Sequence, residues 1–192
     1  MPLLIIACQN KGIYSASKNK VGVSSQGVVS TAHPLATDAA VNILSAGGNA
    51  MDAAIAAAFT LAVVEPTMNG LGGRTQILIY SPTSGFHGID ATTAAPNDYD
   101  YDNAPKKKYG YPSIGIPGTV KGLERGLKDY GSLDLSSVMV DAITYAEEGH
   151  FLIEGEAKRL ERVNKELNEF KGTREYFTNS DGSPLKSGKL LI

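Results

Sequence analysis

Apolar and polar positions along the chain fall into blocks that predict a series of helices interrupted by one hairpin. Val28-Val29 is a short β-branched run. His33-Pro34 then marks a helix start, because Pro fits the first helical turn, where its missing N–H is not needed. That helix continues through LATDAAVNIL and stops at Gly47-Gly48, where glycine supplies a left-handed cap. Asn49 can cap a second helix, with Asp52 three residues on in the capping-box position. From Ala50 to Val64 only Asp52 and Thr60 are polar. A helix without a polar face is expected to be buried on every side. At about 1.5 Å per residue it would be about 22 Å long, short of the roughly 20 residues a membrane span needs.

Glu65-Pro66 ends that helix, and residues 67–73 form a glycine-rich loop. Gln76–Tyr80 reads as a buried strand, Ser81–Gly85 as a turn and Phe86–Asp90 as the hairpin partner. The loop leads into a strand, so it lacks the helix N-terminus that would cradle a phosphate, which argues against nucleotide binding. Residues 97–112 are polar and rich in tyrosine, as in a surface loop, with Lys106-Lys107-Lys108 as a solvated turn. Pro117 opens a helix that runs to Tyr130, stops at Gly131 and carries Leu123 and Leu127 on one face. Further helices are expected from about Ser136 to Glu148 and from Glu156 to Phe170. The last is heavily charged, with Leu160, Val163 and Leu167 as one apolar stripe. From Lys171 the chain is rich in turn residues, and it closes on the apolar Leu190-Leu191-Ile192, which reads as a severed element. No repeat or linker divides residues 27–192, which are expected to form one domain.

Composition narrows the chemistry. The 192 residues are 42% hydrophobic and 20% charged, with 18 basic against 20 acidic side chains and a net charge of -2. No basic excess is present for tracking a nucleic-acid backbone. The single Cys8 excludes an internal disulfide framework and a thiolate-rich zinc site. His33, His87 and His150 are too far apart in sequence to show metal-ligand spacing. At the start, Ile5-Ile6-Ala7-Cys8 is similar to the end of a bacterial lipoprotein signal. A full signal has a positive start and about 7–15 apolar residues, whereas no Lys or Arg precedes Cys8. Cys8 is therefore either a lipidation site on an exported periplasmic or envelope protein, or an incidental residue of a short tail. Residues 1–26 read as signal remnant and tether.

The run GVVSTAHPLATDAAVNILSAGGNAMDAAIAAAFTLAVVEPTMNGLGGRTQILIY, Gly27–Tyr80, resembles the start of the gamma-glutamyltransferase (glutathione hydrolase) family. The family shows the same GGNA-x-DAA junction, an apolar helix ending in VVEP and a glycine-rich turn into a strand. YPSIGIPGTVKGLERGLKDYG is similar to its second signature, and DAITYAEEG and DGSPLKSG follow in order, so the likeness runs to about residue 189. The resemblance implies an α+β protein, an N-terminal nucleophile hydrolase with a four-layer αββα sandwich that is incomplete in this chain. It also implies a precursor that cuts itself, exposing an N-terminal Thr that acts as nucleophile with its own amine as base. An acyl-enzyme would then pass to water or to an amino acid, with backbone N–H groups stabilising the oxyanion. The implied partners are a small γ-glutamyl substrate such as glutathione and the C-terminal subunit of the same precursor; no cofactor is implied. The nucleophile belongs to that subunit, so this N-terminal part of the large subunit is expected to be inactive alone.

Two positions depart from the family pattern. The family has D-F-R-E-x-A-P after the hairpin, and its Arg pairs with the substrate α-carboxylate. Here Asp90–Pro96 reads DATTAAP, with Thr92 in place of that Arg. A hydroxyl does not replace a charged, bidentate fork. In the glycine-rich turn, family glycines give way to Arg74-Thr75, with Gln76 at a usually aromatic position. Arg74 either supplies the missing charge from the neighbouring strand or pairs with a surface acid. Arg74 and Thr92 are thus the substrate-binding candidates. Asp52 is read as a cap, Glu65 as a pre-proline terminator, His33 as local structure and Asp90 as a hairpin-end hydrogen-bonder. The alternatives are a family member acting on an acyl amide without an α-carboxylate, or a non-catalytic subunit.

Overall fold

The computed structural model describes residues 23–106 and 109–192. Cys8 and Lys107-Lys108 lie outside the described residues. Helices α1 (Pro34–Ser45) and α2 (Ala50–Val64) come first, followed by strands β1 (Thr75–Ser81) and β2 (Gly85–Ala91). Helices α3 (Thr119–Tyr130) and α4 (Leu135–Glu148) precede a small unit of β3 (His150–Phe151), α5 (Glu154–Arg162), α6 (Asn164–Leu167), α7 (Lys171–Phe177) and β4 (Leu190–Leu191).

The capping box at α2 forms as its sequence predicts. Asn49 Oδ1 accepts from the amides of Met51 at 2.8 Å and Asp52 at 3.1 Å, and Asp52 Oδ2 accepts from the Asn49 amide at 2.8 Å. Asp52 does more than cap. It also accepts from the Ser132 amide and hydroxyl and the Leu133 amide, which ties the α3–α4 connection to the start of α2. Burial pushes its carboxyl up, but these donors outweigh burial and hold it below the usual carboxylate range.

The principal core is formed by Met51, Ile55 and Phe59 of α2, Leu123 and Leu127 of α3, and Val138 and Ala142 of α4, with Ile77 and Ile79 of β1 packed against it. β1 and β2 pair antiparallel from Thr75↔Ala91 to Ser81↔Gly85, and Gly85 takes the φ of 78° that the turn requires. α3 lies close on β2 because its glycines lack a Cβ: one on Gly122 would stand 2.3 Å from Ala91 Cβ. A second core gathers Leu152, Leu160, Leu185 and Leu191. No helix among the described residues is long and apolar enough to cross a membrane.

Four expectations need correction. β1 is not a buried strand: Gln76, Leu78 and Tyr80 are exposed, and only Ile77 and Ile79 pack on the core, because the strand is covered on one face. α2 is not buried on every side: Ala50 and Ala54 are exposed and Ala58, Leu61 and Ala62 half-buried, while the polar Asp52 and Thr60 are fully inside. Thr60 is satisfied by donating to the Ala56 carbonyl one turn back. The single helix expected over 156–170 begins at Glu154 and breaks at Val163 into α5 and α6. The break coincides with Asn164 and Asn168, whose side-chain amides both donate to the Gly182 carbonyl. The tail is not all turns, since α7 follows directly, joined to α6 through Thr173 Oγ1 donating to the Leu167 and Phe170 carbonyls.

Candidate functional site

A groove of ≈ 700 Å³ runs between the uncovered side of α2 and the glycine-rich loop, lined by Ala58, Leu61, Ala62, residues 66–70 and 72–76, and Thr119. One wall is apolar, and Arg74 stands on the other. The loop closes through the Gly73 amide donating to the Gly70 carbonyl, and the Gly118 amide donates to Gly73 in turn. Thr75 Oγ1 donates to Thr119 Oγ1 at 2.9 Å, fixing the strand start to the head of α3.

Arg74 is exposed, and it forms no ion pair among the described residues. The β1–β2 pairing ends at Thr75↔Ala91, so Arg74 and Thr92 are the residues that flank its open end. Only Arg74 lines the groove. Thr92 is exposed, and its amide donates to Asp90 Oδ1 at 3.1 Å, the hairpin-end bond expected of Asp90. Its path is fixed by close packing: a Cβ on Gly118 would lie 2.2 Å from the Ala91 carbonyl oxygen and 2.8 Å from that of Thr92.

Sequence reasoning missed a buried polar knot at the root of the loop. Arg159 Nη1 bridges Glu65 Oε1 at 2.8 Å and Glu156 Oε2 at 3.1 Å, and both carboxylates are shut away from solvent. Thr67 donates to both oxygens of Glu156, from its amide at 3.0 Å and its hydroxyl at 2.9 Å. Asn69 Nδ2 donates to Glu65 Oε2 at 3.0 Å. Burial pushes the Glu65 carboxyl up; Arg159 pulls it down and Glu156 pushes it up again. The signal is Glu156 and Arg159 three apart, beside Leu160 on a heavily charged helix.

His33 and His150 lie against this knot with ring centroids 6.4 Å apart, edge to face. His33 Nδ1 accepts from the Leu35 amide and so caps α1, consistent with a role in local structure. Burial, followed by the charges of His150 and Arg159, lowers its pKa to about 4. Burial lowers His150 as well, against the pull of Glu156. Among the described residues no group of three or more His, Cys, Asp and Glu is placed to hold a metal ion.

The sequence profile of Gamma-glutamyltranspeptidase matches residues 36–192. The chain is 33% identical over 184 residues to the Glutathione hydrolase proenzyme of Bacillus subtilis (strain 168), covering 90% of this chain and 31% of the relative. It is 37% identical over 150 residues to the Acylase ACY 1 proenzyme of Pseudomonas sp. (strain V22), covering 69% of this chain and 26% of the relative. The crystal structure of Helicobacter pylori gamma-glutamyltranspeptidase superimposes with a TM-score of 0.85 at 29% identity, over 90% of this chain and 52% of that one. This chain belongs to the gamma-glutamyltranspeptidase family, and the region it matches is the N-terminal part of the family's large subunit. It spans about a third of the length of the curated glutathione hydrolase relative.

Proposed function

We propose that this segment forms the substrate-holding shoulder of an N-terminal nucleophile hydrolase that cleaves γ-glutamyl amides, glutathione among them. The observation that carries this reading is Arg74: an exposed guanidinium without an acidic partner among the described residues, on the wall of a groove, just beyond the Thr75↔Ala91 pair, as is the position where the family pattern has its own Arg. In that reaction the hydroxyl of an N-terminal Thr, created by self-cleavage outside this segment, attacks the amide carbon. Its own amine takes the proton and returns it to the departing amine, and water or an amino acid then takes the acyl group. Arg74 would hold the α-carboxylate of the γ-glutamyl group. Such a pair is weak in open water and stronger once covered.

The cover would come from the rest of the precursor, completing a four-layer αββα sandwich over α2 and the outer face of the hairpin. Leu78, Tyr80 and Phe86 on that face are respectively 78%, 63% and 71% exposed, an unusual placement for three large apolar side chains on one small sheet. Alone, the segment would be inactive. The Ile5–Cys8 pattern supports export to the periplasm or envelope, with Cys8 as a lipid anchor.

A second reading, action on an acyl amide that lacks the α-carboxylate, is favoured by Thr92 and by the relative named an acylase. The two separate on a pair of substrates, γ-glutamyl anilide and 4-aminobutyryl anilide, which differ only in the carboxylate. The mature full-length enzyme should prefer the first in kcat/KM by about a hundredfold, the scale of a lost covered charge contact. Equal values would support the second reading.

A further inference from the structure

We propose that Glu156 and Arg159 of α5, together with Glu65, are positioning residues that hold the glycine-rich loop in place and thereby shape the groove wall carrying Arg74. The proposal rests on the reading of that groove as an amide-substrate site, but the anchoring itself can be measured without any substrate.

Buried ion pairs are poor stabilisers, because desolvation offsets most of the attraction, and apolar replacements of similar shape are often as stable. Two carboxylates sharing one guanidinium therefore call for another explanation, and their remaining contacts supply it. Both oxygens of Glu156 go to Thr67, one to its amide and one to its hydroxyl. This two-point clamp fixes a backbone unit as well as a side chain. The free oxygen of Glu65 takes Asn69. The carboxylate oxygens of the knot are thus divided between Arg159 and the loop, Glu156 Oε2 serving both.

The loop needs such anchors. After Asn69 it contains Gly70, Gly72 and Gly73, and a Cβ at Gly70 or Gly72 would meet nothing within 4 Å. Glycine without neighbours has a wide choice of backbone conformations, so its path is set from its ends. At the far end the loop is tied through Gly73 to Gly118. At the near end the Met68 and Asn69 amides donate to the Glu65 carbonyl, and the knot adds the side-chain bonds to Thr67 and Asn69. Residues from Thr67 to Arg74 line the groove continuously except for Leu71, so a loose near end would blur that whole wall.

The test uses the full-length protein that contains this segment, with Glu156→Gln, which keeps the shape, and Thr67→Val, which removes one hydroxyl. Amide hydrogen exchange is read over residues 67–73 and, as an internal control, over α2. Both variants should lose protection in the loop, about tenfold for Glu156→Gln, while α2 changes by less than about twofold. With the anilide substrate, KM should rise about fivefold and kcat stay within about twofold, since binding geometry is loosened and the acyl chemistry is not. Unchanged loop protection in both variants would overturn the proposal, as would a loss spread equally through α2. A loosened loop with unchanged KM would overturn its link to the groove. If the unmodified protein turns over neither anilide, the functional reading fails, and the exchange data still decide whether the knot anchors the loop.

Discussion

Two regions of this molecule invert the usual arrangement of apolar and charged groups, in opposite directions. At the outer face of the β1–β2 hairpin, Leu78, Tyr80 and Phe86 stand in solvent, while the inner Ile77 and Ile79 pack on the core. In the second region, Glu65 and Glu156 are buried around Arg159. The first arrangement leaves hydrophobic free energy unrealised in this segment; the second costs desolvation. Neither serves the stability of these residues alone. Each makes sense if the segment works as a shoulder, one face waiting for the remaining polypeptide and one interior point reserved for holding a loop.

The contrast can be broken most forcefully at the hairpin. Residues 1–192 expressed alone should aggregate or remain partly folded, because the apolar outer face and both strand edges lack partners among the described residues. Introducing Leu78→Lys and Phe86→Lys together should raise the soluble fraction measured by sedimentation. A sharp, reversible, monomeric melt of the unmodified chain would contradict the idea of a waiting face. Within the knot, Arg159→Met removes the cation between two buried carboxylates. In the full-length protein it should lower stability by about 3 kcal/mol in a urea titration.

His33 titrates at about 4 in the fold and near 6.5 when unfolded. Below pH 6.5 the unfolded chain therefore binds a proton that the folded chain refuses. Stability is complete above that pH and declines toward pH 4, by on the order of 2 kcal/mol once partial screening is allowed for. Glu65 works with the opposite sign, since its raised pKa means that protonation relieves the fold. His33→Asn keeps a capping side chain and should flatten the pH dependence. The smallest effect lies outside both regions: Asn49→Ala should cost about 1 kcal/mol through loss of the α2 cap, read as a shift of the urea midpoint.

Where structure is local, the sequence was a good guide. The Asn49–Asp52 box, the hairpin register around Gly85 and the helix ending at Gly131 follow from residues within a few positions of one another. Glu65 was read only as a terminator before proline, because its partner Arg159 is almost a hundred positions away and no periodicity connects them. The break at Val163 was hidden for the same reason, its cause being the Gly182 carbonyl reached by Asn164 and Asn168. The open strip on α2 escapes the sequence for another reason. An apolar pattern announces that a face will be covered without saying which part of the polypeptide covers it. Of the site, Arg74 and Thr92 are both legible in the sequence, but that they flank the same end of the hairpin follows only from the register.

Whether Arg74 holds a substrate carboxylate is decided by Arg74→Ala in the full-length protein, assayed on the two anilides side by side. KM for γ-glutamyl anilide should rise about tenfold or more with kcat nearly unchanged, as expected when a ground-state contact is removed. The carboxylate-free 4-aminobutyryl anilide should be unaffected. Unchanged kinetics on γ-glutamyl anilide would contradict the claim that Arg74 holds the carboxylate.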